Sequence, residues 1–351
     1  MKVLNKIVLE DLQFITEKNL PWDVFNNKTI LISGASGFLA SYMVDVFLYL
    51  NKTKNYNIRI IGLVRDLDKA HLRFLYAKNN HNLELIKQDV CEDICLDEKI
   101  DFIIHAASSA TPKVFRDNPV GTILPNVLGT KNLLEIGRRD NIEGFLFFST
   151  SGVYGFVNDS DYPIKEDCFG SLDSMDLASC YLESKRMGEN LAVSWKEQYG
   201  TPIKVVRPAI TYGPGLDLTK GRSFEDFILS IVQCRDIELY SDGSAVRNFC
   251  YIADAIYGFF VVMLKGENGN AYNVATDHEI SIKELAEYLV EKAFPDRGLK
   301  VVMKNDHSKN FMRVNFSRTT VDINKVKSLG WDLSFPIKEG FRRTVKSVES
   351  E

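Results

Sequence analysis

The most constraining stretch of this chain is KTILISGASGFLASYMVDVFLYL at 28–50, where a β-branched apolar run breaks at a glycine turn and resumes as an apolar helix. A strand delivered directly into a helix opens a βαβ unit, which commits the following chain to a parallel sheet with helices across it. The later segments repeat the theme. NIRIIGLVRD (57–66) leads into a helical stretch to about Asn79, and LELIKQDV (83–90) and DFIIHAAS (101–108) follow. EGFLFFSTS (143–151) comes after a helix near 120–139, and PIKVVRPAI (202–210) after a helix from Cys180 to Tyr199. Strands that are apolar almost throughout, alternating with helices, belong to a sheet covered on both faces.

The expected fold class is therefore α/β: a doubly wound Rossmann parallel sheet with a smaller mixed α/β C-terminal lobe. Three segments are expected. Residues 1–28 form an N-terminal helical extension, because Leu4, Ile7, Val8, Leu12 and Ile15 recur at helical spacing before Pro21. Residues 29–210 form the dinucleotide-binding domain, and 211–351 mainly a ligand-binding lobe with helices near 223–233, 281–294 and 323–329. A cleft between sheet and lobe is the expected ligand site.

Composition excludes several classes. The 43 basic and 47 acidic side chains give a net charge of −4 without the clustered basic excess that nucleic-acid binding needs. No apolar run reaches the roughly 20 residues that span a bilayer, and no signal-peptide pattern is read, so a cytoplasmic location without a membrane partner is the expectation. Cys91, Cys95, Cys168, Cys180, Cys234 and Cys250 form no C-x-x-C pair. They read as reduced thiols, with no metal site expected.

The turn Gly34-Ala35-Ser36-Gly37 opens onto Phe38-Leu39-Ala40. Small residues there let the backbone approach a pyrophosphate whose charge faces the helix N-terminus. The second strand ends Leu63-Val64-Arg65-Asp66, where an acid usually accompanies NAD. Arg65 could cradle a 2′-phosphate, which tilts the expected cofactor from NAD toward NADP; a solvated strand-end charge is the competing reading. Asp66 either turns outward or serves a ribose hydroxyl.

In YLESK, Tyr181 precedes Lys185 by one helical turn, so both side chains share a face. The lysine's charge can then lower the phenol's pKa and make it a usable acid or base. Taken alone the pair is common on solvated helices; its context decides.

That context resembles the extended short-chain dehydrogenase/reductase family, specifically its nucleotide-sugar epimerases, dehydratases and decarboxylases. The motifs run in family order: SGASGFLA (33–40), QDV (88–90), HAAS (105–108), NPV (118–120), NVLGTKNLL (126–134), FFSTSGVYG (147–155), YLESK (181–185), RPAITYGPG (207–215), RNFCYIADA (247–255) and LGW (329–331). The stretch 105–134 is especially similar to UDP-glucuronate decarboxylases. The resemblance implies Gly34, Ser36, Gly37, Phe38 and Leu39 at the pyrophosphate, and Asp89 and Val90 near adenine. Ala106, Ala107, Ser108 and Pro208 would lie along the rest of the cofactor, with Asn126 supporting the site. It implies Tyr181 as acid/base, Lys185 on the nicotinamide ribose, and Thr150 on the reacting sugar hydroxyl with Ser151 beside it. Arg247 and Arg318 would meet the diphosphate of a nucleotide-sugar substrate. A homodimer built through a helix pair is also implied.

One position departs from the pattern. The family's dehydratases and decarboxylases carry a Glu or Asp–Glu directly after the active-site threonine, where this chain has Ser151 and Gly152. Neither can shuttle a proton as a carboxylate does. Glu166, Asp167 and Glu183 are nearby in sequence, but no spacing aims them at the sugar. Hydride exchange at one carbon needs only the hydroxyl, the phenol and a nicotinamide. The expectation is redox chemistry at the sugar C4, with a 4-epimerase named first and an NAD(P)H-dependent 4-ketoreductase second. A decarboxylase or 4,6-dehydratase with a relocated acid comes third. A non-catalytic cofactor sensor would be marked by loss of Tyr181 or Lys185, and both are present. Cys180 and His105 read as packed or hydrogen-bonding residues.

Overall fold

In a computed structural model of the chain, which describes residues 4–108, 111–304 and 318–350, the strand that opens the βαβ unit is β1 (Thr29–Ser33). Around it gather β2 (Arg59–Val64), β3 (Leu83–Lys87), β4 (Phe102–His105), β5 (Gly144–Phe148), β6 (Ile203–Pro208) and β7 (Ala271–Val274). The order is β7-β6-β5-β4-β1-β2-β3, with every pairing parallel. The winding reverses between β1 and β4, so a crevice opens beyond their carboxyl ends. This is the expected doubly wound sheet. The seventh strand comes from beyond residue 211, so the chain leaves the sheet after β6 and re-enters it at the edge.

Alternation along the strands feeds two cores. Ile30, Ile32 and Ile60 face the layer that contains Val44 and Phe47 of the helix Phe38–Lys54 and Phe260 of the helix Ile252–Lys265. Leu31, Ile61 and Leu63 face Leu133 and Leu134 of the helix Thr130–Asp140. The C-terminal lobe is held by three two-stranded sheets, which pair 210–212 with 249–251, 246–247 with 280–281, and 237–239 with 301–303.

Several boundaries differ from the sequence reading. The single helix expected near 120–139 is three pieces: Pro119–Leu124, a π-helical turn Pro125–Gly129, and Thr130–Asp140. Pro125 has no N–H for the α-helical ladder, and the wider turn absorbs it. β4 stops at His105; the Ala106 amide still reaches Ser33 O at 3.3 Å, and the amides of Ala106 and Ala107 both meet the Ser33 hydroxyl at 3.2 Å.

The N-terminal helix Lys6–Glu17 is present, capped by the Asn5 side chain, which accepts from Ile7 N at 2.9 Å. Its apolar face buries Leu12 and Ile15, while Asp11 is also fully buried. The Asp11 carboxylate accepts from Tyr42 Oη at 2.9 Å, from Tyr251 Oη at 2.8 Å and from Arg343 Nη2 at 2.7 Å. One carboxylate thus joins the extension to a Rossmann helix, to a strand of the C-terminal lobe and to the last helix, Ile337–Glu349. Burial pushes its pKa up, and the Arg343 charge opposes that rise. Removing the anion takes one of two carboxylate partners from the half-buried Arg343, which keeps Glu10, and strands two buried phenols. Asp11→Ala is expected to lower unfolding free energy in urea by about 3–5 kcal/mol; a loss under about 1 kcal/mol would reduce the cluster to a surface-grade ion pair.

Candidate active site

Beyond the carboxyl ends of β1 and β4 the backbone forms a cradle that leaves no room for side chains. Gly34 has φ +66°, and a Cβ on it would lie 2.8 Å from Ala107 Cα and 3.1 Å from Ala106 O. Gly34 N donates to Leu63 O at 2.9 Å, and Gly37 N returns to Gly34 O at 2.8 Å. Gly37 then caps the helix Phe38–Lys54 without any side-chain bond, leaving the first amides of that helix turned toward the crevice. Such an end favours an anion.

Ser36, Phe38 and Leu39 are half-buried at this end, as are Ala106, Ala107, Ser108 and Asp89, and Val90 is buried beneath Gly129. Asp89 accepts from Cys91 N at 2.9 Å. The Ser108 hydroxyl is buried and has no hydrogen-bond partner among the described residues. Pro208 closes β6 at the same edge of the sheet. An orphaned hydroxyl, a glycine cradle and a helix N-terminus without a side-chain cap fit a dinucleotide, which these residues could hold.

Arg65 is exposed immediately after β2, and it is among the charges acting on the Cys91 thiol, which burial and Asp89 drive up to about 12. Asp66 is not turned to the crevice. Its Oδ1 accepts from Lys69 N at 2.9 Å and caps the helix Leu67–Arg73.

The helix Cys180–Tyr199 brings Tyr181 and Lys185 onto one face, with the Lys185 ammonium 5.9 Å from the Tyr181 ring centroid. Lys185 is buried and Nζ donates to Phe148 O at 2.6 Å. Thr150 is the one side chain that draws the Tyr181 phenol's pKa down. Thr150 itself is set by accepting from Gly152 N at 3.2 Å, which caps the short turn Ser151–Tyr154. The three residues proposed from sequence for proton handling therefore meet.

Their charges differ from the expected balance. Burial pushes the phenol up to about 12, drawn down by Thr150 alone, and the same burial pulls Lys185 down to about 7, opposed by Glu189. Desolvation of both groups outweighs their mutual coupling. At neutral pH the phenol holds its proton and the lysine is part-charged.

A Cβ on Gly152 would lie 2.7 Å from Leu182 Cδ2. The place where a carboxylate might stand is thus filled by an apolar branch. The three nearby acids point elsewhere. Glu166 Oε1 accepts from Asn273 N on β7 at 2.8 Å, and Asp167 is exposed. Glu183 lies two residues past Tyr181, about 200° around the helix.

The supporting groups read from the sequence as packed or hydrogen-bonding residues have partners that only the fold supplies. His105 Nε2 reaches Pro125 O at 3.2 Å, and since a carbonyl only accepts, Nδ1 accepts from the Ser33 hydroxyl at 2.7 Å. Burial, then the Lys185 charge, lowers its pKa to about 3, so it is a neutral strut and no base. Asn126 Nδ2 donates to Ser184 Oγ at 2.9 Å and to Thr122 O at 3.0 Å, while its Oδ1 is buried without a partner among the described residues. Proline within a helical pattern at 125 was the one available hint of this turn. Cys180 Sγ lies 3.9 Å from Phe115 O, a packed thiol as expected.

Arg247 and Arg318 meet around Tyr162. Arg247 is half-buried on the strand 246–247, where Nη1 donates to Val246 O at 2.8 Å, and burial lowers its pKa. Arg318 is exposed, lies 5.2 Å over the Tyr162 ring and grips Glu279 with Nε and Nη2 at 2.8 and 3.2 Å. Both guanidinium groups act on the Tyr162 phenol. Ser151 is half-buried beside Thr150.

The model of the NAD dependent epimerase/dehydratase family matches residues 30–275. The chain belongs to that family. UDP-glucuronic acid decarboxylases 6 and 5 of Arabidopsis thaliana are 31% and 32% identical to it over 323 residues, covering 90% of this chain and 87% of theirs. UDP-glucuronic acid decarboxylase 1 of Xenopus tropicalis is 27% identical over 340 residues, 97% of this chain and 75% of the relative. Among solved structures, UDP-N-acetylglucosamine 4-epimerase from Methanobrevibacter ruminantium, in complex with UDP-N-acetylmuramic acid, superposes with TM-score 0.78 at 22% identity, covering 93% of this chain and 99% of its own. UDP-glucuronic acid 4-epimerase from Bacillus cereus, with UDP-glucuronic acid and NAD, gives 0.74 at 20% identity, covering 92% and 99%. At these identities the structural likeness is one of fold.

Within this family member the buried Lys185 has a measurable signature. Its folded pKa near 7 lies below the ordinary 10.5, so between those values the unfolded chain binds more protons and stability from this group rises with pH. Lys185→Met is expected to stabilise the protein at pH 7 and to shrink the gain in urea midpoint between pH 7 and 9. An unchanged gain would place the ammonium in water.

Proposed function

We propose that this chain carries out NAD(P)-dependent hydride exchange at C4 of a nucleotide-diphosphate sugar, first of all as a 4-epimerase. The supporting observation is the meeting of Thr150, Tyr181 and Lys185 in a pocket whose Gly152 position is closed by Leu182. Thr150 aligns the C4 hydroxyl, Tyr181 takes and returns its proton, and Lys185 sets the charge beneath the phenol. A bound nicotinamide supplies the hydride chemistry. Arg247 and Arg318 are the proposed diphosphate ligands, since a guanidinium that already forks onto the Glu279 carboxylate has the geometry phosphate oxygens require.

The curated relatives bear the name decarboxylase, and Gly152 is the reason to read this chain differently. Loss of a carboxyl group leaves a carbanion to be reprotonated, and no described carboxylate is placed to do it. A 4-ketoreductase is the second reading, favoured by Arg65. With Asp66 spent on a helix cap, the end of β2 offers a cation and no acid to the adenosine ribose, which supports NADP(H) over NAD. A homodimer is proposed through the helical face that exposes Val120, Leu124 and Leu128, at 61%, 36% and 43%, since such a row at spacing four is costly in water. No described helix is long and apolar enough to cross a membrane.

Incubation with UDP-hexoses, UDP-N-acetylhexosamines and UDP-glucuronate should yield a product of unchanged mass by chromatography and mass spectrometry, without added reductant. Loss of carbon dioxide from UDP-glucuronate would overturn the C4 reading, and consumption of NADPH with a keto-sugar would select the reductase. Tyr181→Phe is expected to lower turnover by about 10²–10⁴-fold with cofactor binding retained.

The cofactor preference has its own test. Arg65→Ala should weaken NADPH relative to NADH by about tenfold in fluorescence titrations, the scale of one charge-assisted contact. An unchanged ratio would make Arg65 a solvated charge.

A further inference from the structure

At its tip the Tyr181 phenol is acted on by one side chain, Thr150. A neighbour at the tip alone leaves the ring free to turn. The plane is set from another element. Phe115, on the short helix Pro112–Asp117, lies flat against Tyr181 with ring centroids 4.7 Å apart and an interplanar angle of 10°. The Phe115 carbonyl also meets Cys180 Sγ at 3.9 Å, so residue 115 is fitted to two adjacent residues of the helix Cys180–Tyr199. Both rings are half-buried.

We propose that Phe115 is a positioning residue for Tyr181, an aromatic plate that keeps the phenol hydroxyl on Thr150 and over the reacting C4 oxygen. This role rests on the proposed C4 chemistry. Offset-stacked aromatic pairs contribute about 0.5–1.5 kcal/mol beyond their buried area, and 1.4 kcal/mol corresponds to about tenfold in a rate. The effect falls on turnover, because the plate touches the proton-transferring ring; the diphosphate ligands proposed to dominate substrate affinity lie on Arg247 and Arg318.

The test has a kinetic and a spectroscopic arm, both on the full chain. Phe115→Leu keeps much of the volume and loses the flat ring, whereas Phe115→Tyr keeps it. The leucine variant is expected to lose about tenfold in kcat with KM for the nucleotide sugar held within about twofold, and the tyrosine variant to recover most of kcat. In protein with labelled tyrosine rings, the resonance that disappears in Tyr181→Phe should sit upfield in the wild type from the stacked ring's current. It should move downfield in Phe115→Leu and return in Phe115→Tyr. An unmoved resonance in the leucine variant overturns the stack. A moved resonance with unchanged kcat overturns the positioning role while the C4 reading survives. If the wild type turns over no nucleotide sugar, the C4 reading itself falls and takes this role with it, whatever the resonance reads.

Discussion

A single buried hydroxyl, Ser33 Oγ at the end of β1, is the joint on which the site depends. It accepts the amides of Ala106 and Ala107, drawing the end of β4 against the glycine turn, and it donates to His105 Nδ1. His105 passes the connection to Pro125 O and the Thr130 hydroxyl, at 3.2 and 3.1 Å, across the π-helical turn. Thr130 Oγ1 donates to Asn126 O, the Asn126 amide reaches Ser184 Oγ, and Ser184 Oγ bonds Tyr181 O at 2.8 Å. A run of hydrogen bonds thus leads from the glycine cradle to Tyr181, the proposed acid/base. It works only if His105 stays neutral, since a second cation near Lys185 would be repelled, and burial ensures that neutrality.

The same economy joins the lobes. Arg207 at the end of β6 forks onto Glu189 of the helix Cys180–Tyr199 at 2.9 and 2.7 Å, and it also donates to Tyr154 Oη at 3.0 Å. Tyr154 Oη in turn donates to Asn273 on β7 at 2.6 Å. The turn carrying Thr150 and Gly152 is therefore pinned at its far end to the edge strand contributed by the C-terminal half. Asp11 makes the corresponding tie on the opposite side through Tyr251, four residues after Arg247. Paired and hydrogen-bonded charges of this kind do more to define one arrangement than to lower its energy.

The sheet was legible because parallel strands buried on both faces read as unbroken apolar runs, and a run such as TILIS ending in Gly34 has few other uses. Where a strand stops was not legible: past His105 the hydroxyl of Ser33, 72 residues before that histidine, meets the amides of Ala106 and Ala107. Motif order placed Thr150, Tyr181 and Lys185 together. Their protonation balance was not readable, since it turns on desolvation, which depends on how the surrounding chain packs over both groups. Gly152 could be read as a missing carboxylate, but that Leu182 fills its space required coordinates. Asp66 read equally as an outward-turned acid or a ribose ligand, and its cap on Lys69 N favours the first.

These details bear on direction as well as reaction type. A phenol held near 12 beside a lysine near 7 is a site that keeps a proton ready to give, as protonation of a C4 ketone oxygen requires. To act as base on a C4 hydroxyl, the same phenol must first be relieved of its proton. The positive nicotinamide of an oxidised dinucleotide beside Lys185 would favour that loss, whereas the neutral reduced ring would not. An epimerase must visit both conditions within one turnover, and a ketoreductase only the second. The exposed Arg65 at β2 and the proton-retaining phenol thus lean the same way for independent reasons, one acting through cofactor choice and the other through acid strength.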